Sequence, residues 1–92
     1  MNFLRMNIFV ANLSSRTKRQ DLEQLFSKFG EVSSAKVVVD RETGFSKRYG
    51  FVEMPDEQAA HEAIDKLNDT ELDASQIVVK MAVAKKDKGH PT

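Results

Sequence analysis

The stretch Lys47-Arg48-Tyr49-Gly50-Phe51-Val52-Glu53-Met54 narrows the folds open to this chain. It alternates with the period of a β-strand, in which successive side chains leave on opposite faces. Gly50, Val52 and Met54 fall on one side; Lys47, Tyr49, Phe51 and Glu53 fall on the other. Two rings thus sit between a lysine and a glutamate on what should be the solvated face of a sheet. A second short apolar run, Ile8-Phe9-Val10-Ala11-Asn12-Leu13, has the same character.

The remaining elements can be read around these two runs. Residues 7–11 form the first strand. Thr17-Lys18-Arg19-Gln20 has capping-box form, in which a Thr hydroxyl takes an exposed amide and Gln reaches back. Leu22, Leu25, Phe26 and Phe29 follow at i, i+3, i+4 and i+7, a single apolar helical stripe. Gly30 stands where a left-handed C-terminal cap belongs. Residues 32–39 are rich in Val and alternate as a second strand. Asp40-Arg41-Glu42-Thr43-Gly44 is a turn leading into a strand at 48–54, giving a long-looped hairpin. Pro55 stops that strand, Asp56 is placed to cap a helix, and Ala60, Ala63, Ile64 and Leu67 repeat the helical spacing up to Asn68. The polar stretch from Asn68 to Gln76 reads as a loop, and residues 77–83 as the last strand.

The order is βαββαβ. Each helix has one apolar stripe, so both are expected on one face of the sheet, leaving the other open. The fold class is α+β: a ferredoxin-like sandwich of a four-stranded antiparallel sheet and two helices. Ile8, Val10, Phe26, Phe29, Val52, Ile64 and Leu67 supply its core.

A chain of 92 residues makes one domain. Met6 stands just before the first strand, so residues 1–5 read as a short leader, 6–84 as the domain and 85–92 as a flexible basic tail. There is no cysteine, which removes disulfides, thiol nucleophiles and thiolate metal sites. No apolar run approaches the roughly 18 residues that span a bilayer, and the N-terminus is too short and interrupted for a secretory signal. A cytoplasmic protein is the default expectation. The formal net charge is zero, but the charges are segregated. Between Glu53 and Asp73 eight acids are opposed by Lys66, whereas the tail carries Lys85, Lys86 and Lys88 against Asp87.

Aromatic rings on a solvated strand, flanked by a cation, suit the stacking of unpaired bases above a phosphate chain. Alternation adds Ser34, Lys36 and Val38 to that face from the second strand, and Val78, Lys80 and Ala82 from the last. Over residues 6–85 the chain closely resembles the RNA recognition motif family. The hexamer Ile8–Leu13, the octamer Lys47–Met54 and the loop Asp40–Gly44 followed by Ser46-Lys47 carry the resemblance. A lone copy with little around it resembles the small single-motif proteins of bacteria.

The resemblance implies that Phe9 and Phe51 each stack beneath a base. Tyr49 would lie against a sugar or between nucleotides, and Lys47 would meet a phosphate. Lys36 and Lys80 are within reach of RNA, although lysines on a wet strand are commonplace, and Lys85 and Lys86 could follow the bound backbone from the tail. Two residues depart from the octamer. Met54 replaces an aromatic, on the core side where a thioether can substitute for a ring. Arg48 replaces a glycine at the sheet margin, either snorkelling to solvent or adding a phosphate contact. Phe45 stands where the loop often carries a basic residue, losing a phosphate contact and offering a stacking one. Asn12 is expected to organise its turn, and His61 to lie on the solvated side of the second helix; His90 is in the tail.

The same element order serves enzymes and metal carriers. An acylphosphatase-like anion cradle needs glycines after the first strand, where this chain has Ala11-Asn12-Leu13-Ser14-Ser15-Arg16. A copper carrier needs paired cysteines. No nucleophile–base arrangement presents itself. The expectation is therefore a monomeric, non-enzymatic binder of single-stranded RNA, without cofactor, metal, membrane or small-molecule partner. It would act as a post-transcriptional regulator or RNA chaperone. The rival is a protein-binding member of the same family; such members tend to lose the sheet aromatics, which are all present here.

Overall fold

The computed structural model describes residues 5–85, with side chains over 6–82. Its elements are β1 (Arg5–Ala11), α1 (Arg19–Ser27), β2 (Ser34–Val39), β3 (Ser46–Met54), α2 (Glu57–Leu67), β4 (Glu71–Leu72), β5 (Ser75–Gln76) and β6 (Val78–Lys85). The main sheet is antiparallel in the order β2-β3-β1-β6, with both helices against one face. This is the α+β sandwich expected from the periodicities.

The core lies where the two patterns meet. From the sheet, Ile8, Val10, Val52 and Met54 are fully buried, with Val79 beside them. From the helices come Leu22, Phe26, Ala59, Ala60, Ala63 and Leu67. Met54 therefore does face the core, its flexible thioether filling space a ring could take. Phe29 and Ile64 pack only at the margin.

Helix ends and connections differ from the sequence reading in three places. Thr17 does not cap α1. Its buried hydroxyl donates to the Asp73 carboxylate at 2.7 Å, while Asp21 accepts from the Lys18 amide at 2.8 Å and starts the helix one residue later. Gly30 has no positive φ, and α1 is capped after Ser27 by Lys28 in right-handed geometry. A Cβ on Gly30 would lie 2.6 Å from the Ala59 Cβ, so glycine is there to let the chain pass α2. Finally, the stretch read as a loop contains the β4–β5 hairpin, with Leu72 opposite Ser75. Asp73 and Ala74 form its turn at φ 52 and 66, the two left-handed residues that a type I′ turn needs.

Asp56 caps α2 as expected, its carboxylate accepting from the amides of Gln58 and Ala59 at 3.0 and 3.4 Å. Asn68 closes the helix, and its side-chain carbonyl accepts from the Val79 amide at 2.8 Å. The register slips twice, once between β1 and β6 at Asn7/Ile8 and once between β2 and β3 at Val37/Val39.

Candidate nucleic-acid interface

Strand register aligns the expected side chains into a row across the whole sheet. Lys36 on β2 stands opposite Phe51 on β3, Phe51 opposite Phe9 on β1, and Phe9 opposite Lys80 on β6. Directly opposed side chains on one face lie about 5 Å apart, so two rings sit side by side between two exposed lysines. Tyr49 lies one step along, opposite Ala11. The three rings touch as a triangle. Centroids are 5.6 Å apart for Phe9–Phe51, 5.7 Å for Phe9–Tyr49 and 6.3 Å for Tyr49–Phe51. All are tilted or edge-on, and each ring remains only half-buried. Tilted contacts hold the rings without covering their faces, since they join edge to face.

Gly50 brings β2 close enough for this row to form. A Cβ there would sit 2.2 Å from the Lys36 carbonyl oxygen and 3.1 Å from the Val37 Cα. Past Gly50 the simple alternation ends. Val37 faces Gly50 and Val39 faces Ser46, so two steps of β2 are spanned by four of β3. Arg48 takes up the excess with a φ of 67°. Lys47 is exposed at this end of the sheet, but strand alternation does not fix it on the ring face.

Arg48 itself is tied down. Its Nε donates to the Leu13 carbonyl at 2.9 Å, the Leu13 amide donates to the Arg48 carbonyl at 2.9 Å, and the Arg48 amide donates to the Ser46 hydroxyl at 2.9 Å. It is exposed at this end of the sheet, but with its Nε tied its side chain does not snorkel freely. Asn12 is also left-handed at φ 59°, but its side-chain amide donates to the distant Gln76 carbonyl at 2.7 Å rather than to a group of its own turn.

In the β2–β3 loop the Asp40 carboxylate accepts from the amides of Glu42 and Thr43, and the Gly44 amide closes onto the Asp40 carbonyl. This bonded turn presents Phe45 at 74% exposure, available for a stacking contact. His61 is exposed on α2, 3.9 Å from Glu57 one turn back. Lys85 ends β6 in backbone register with Arg5; its side chain and the whole of Lys86 lie outside the described residues. Neither the Arg48–Leu13 tie nor the Lys36-to-Lys80 row was read from the sequence. The lysines' alternation was visible, but their alignment depends on pairing between strands.

Residues 8–78 match the RNA recognition motif family. The chain belongs to this family. It is a family of binding domains, not of enzymes. Glycine-rich RNA-binding protein 10 of Brassica napus is 43% identical over 82 residues, covering 89% of this chain and 48% of that protein. Glycine-rich RNA-binding protein 2 of Sorghum bicolor is 45% identical over 74 residues, covering 80% of this chain and 44% of that protein. The chain thus spans about half the length of these relatives, and their plant origin gives no support to the expected bacterial type. Among solved structures, the crystal structure of RNA binding protein PG1 superposes with a TM-score of 0.83 at 46% identity, over 87% of this chain and 96% of that one. The first two motifs of the yeast poly(U) binding protein Pub1 give a TM-score of 0.81 at 28% identity, over 86% of this chain and 48% of that one.

Proposed function

We propose that this domain binds single-stranded RNA by stacking bases on Phe9 and Phe51. Tyr49 takes a sugar or the next nucleotide, and Lys36, Lys80 and Lys47 meet the phosphates. The observation that carries this reading is the cross-sheet row in which two half-exposed rings are bracketed by lysines. Each base has a π-face, so a stack contributes about 1–3 kcal/mol without demanding a sequence. The tail lysines Lys85 and Lys86 belong to the same reading as backbone contacts. The biological role that goes with it is post-transcriptional, as a regulator or RNA chaperone, carried out by a cytoplasmic monomer. The names of the plant relatives support the RNA ligand.

Titration with a single-stranded RNA and with a hairpin stem of equal length, at low salt, tests the proposal. Tyr49 is the only tyrosine and there is no tryptophan, so its emission reports on the ring face directly. Preferential binding of the unpaired strand with a change in Tyr49 emission is expected, because A-form duplex hides base faces. Equal affinity for the two RNAs would overturn it.

A further inference from the structure

On the single-stranded RNA reading above, we infer that Arg48 is a preorganised phosphate clamp at the Tyr49 end of the ring face. The end-on fork of its guanidinium grips a backbone phosphate of the bound strand. Its backbone sits at φ 67°, a region that glycine enters freely and that a side chain with a Cβ enters only under strain. Strain of this kind persists where the surroundings over-determine it, and it gathers at functional sites.

The side chain is held as firmly as the backbone. Nε is fixed to the Leu13 carbonyl, and the Leu13 amide returns a bond to the Arg48 carbonyl, each at 2.9 Å. A long arginine normally loses rotamer freedom when it engages a ligand; here much of that freedom is already gone, which is the gain of preorganisation. Only one donor is spent on the tie. Of the five N–H groups of a guanidinium, those on the two Nη atoms have no carboxylate partner among the described residues, and Arg48 as a whole is exposed. Two parallel N–H groups in a planar fork match the oxygens of a phosphate.

Position completes the argument. Arg48 precedes Tyr49 in β3, and Leu13 lies two residues beyond Ala11, the partner of Tyr49 in β1. The fork is therefore anchored at the end of the sheet where a strand lying against Tyr49 must pass. A lysine at this position has neither an Nε to tie nor a fork to offer. Glycine would relieve the strain and supply no donor.

The test uses the full chain as wild type, R48G, R48K and F51A. Each is titrated by anisotropy with a fluorescein-labelled, mixed-sequence single-stranded RNA between about 50 and 200 mM salt. R48G is expected to fold, because glycine accepts the φ, and to bind about tenfold more weakly, equivalent to about 1.4 kcal/mol. Its log–log salt slope should fall by about 0.7, one phosphate's worth on a single strand. R48K, which keeps the charge and loses the fork, should keep the wild-type slope while losing most of the same affinity; the fall in slope in R48G is the change that a merely structural tie to Leu13 does not predict. Wild-type affinity and slope in R48G would overturn the clamp. Sensitivity to R48G with indifference to F51A would support the clamp and overturn base stacking; the reverse pattern would retain stacking and overturn the clamp.

Discussion

Gly50→Ala should be severely destabilising, although it adds a single methyl group. The new Cβ would lie 2.2 Å from the Lys36 carbonyl oxygen, and 3.1 Å from both the Lys36 carbonyl carbon and the Val37 Cα. All three are backbone atoms of β2, so no side chain can swing aside to make room. Relief requires β2 to retreat by more than an ångström from a strand spacing that hydrogen bonding fixes near about 4.8 Å. Overpacking of this kind costs about 1–3 kcal/mol, and a weakened ladder bond adds about 1 kcal/mol. For a domain this small each kcal/mol lowers the melting temperature by about 4–8 °C, so a drop of about 10–25 °C is expected by circular dichroism. The retreat also carries Lys36 away from Phe51, so RNA affinity should fall severalfold even where the variant is fully folded. A melting temperature within about 3 °C of wild type would refute the reasoning, because it would mean that β2 yields without cost.

Phe9→Ala and Phe51→Ala should each weaken single-strand binding by about 1–3 kcal/mol. Each ring touches two others, so some stability is lost as well, about 1–2 kcal/mol from the ring contacts. That is less than the roughly 3–5 kcal/mol expected for the fully buried Phe26→Ala, and melts of the three variants check the order. Ala74→Gly should stabilise the protein by about 0.5–1 kcal/mol, because the native φ of 66° strains alanine; a lower denaturation midpoint would count against the turn geometry. Truncation after Ala84 should leave the melting temperature nearly unchanged and flatten the salt dependence of RNA binding by about 0.7 per phosphate lost. Identical slopes for the full and truncated chains would reduce the tail lysines to solubilising charges.

Periodic burial is a one-dimensional signal, and what depended on it was legible. Val52 and Met54 declared the inner side of β3; Leu22 and Phe26 declared that of α1. Phe9, Tyr49 and Phe51 could be assigned to the open face before any strand was paired. What depended on a distant partner was not legible. Thr17 looks like a helix cap until Asp73, 56 residues away, takes its hydroxyl. Gly30 looks like a left-handed stop until Ala59 is seen against it. The β4–β5 turn hid because Asp73-Ala74 reaches a type I′ conformation without the usual glycine. Arg48 concealed the bulge in β3 for the same reason, since an arginine gives no hint of a left-handed backbone.

The bond from the Val79 amide to the Asn68 side chain also bears on self-association. β6 is an edge of the sheet, and an edge strand offers its outward amides and carbonyls as a template for a further strand from another molecule. Near the start of β6 one amide is already engaged, not by a strand but by the residue that ends α2. Ile77, just ahead of β6, donates to the Thr70 carbonyl and accepts from the Asp69 amide, so the β4–β5 region screens the same approach. Intermolecular strand addition at this point must first undo the end of a helix, which makes this stretch of the β6 edge resistant to aggregation.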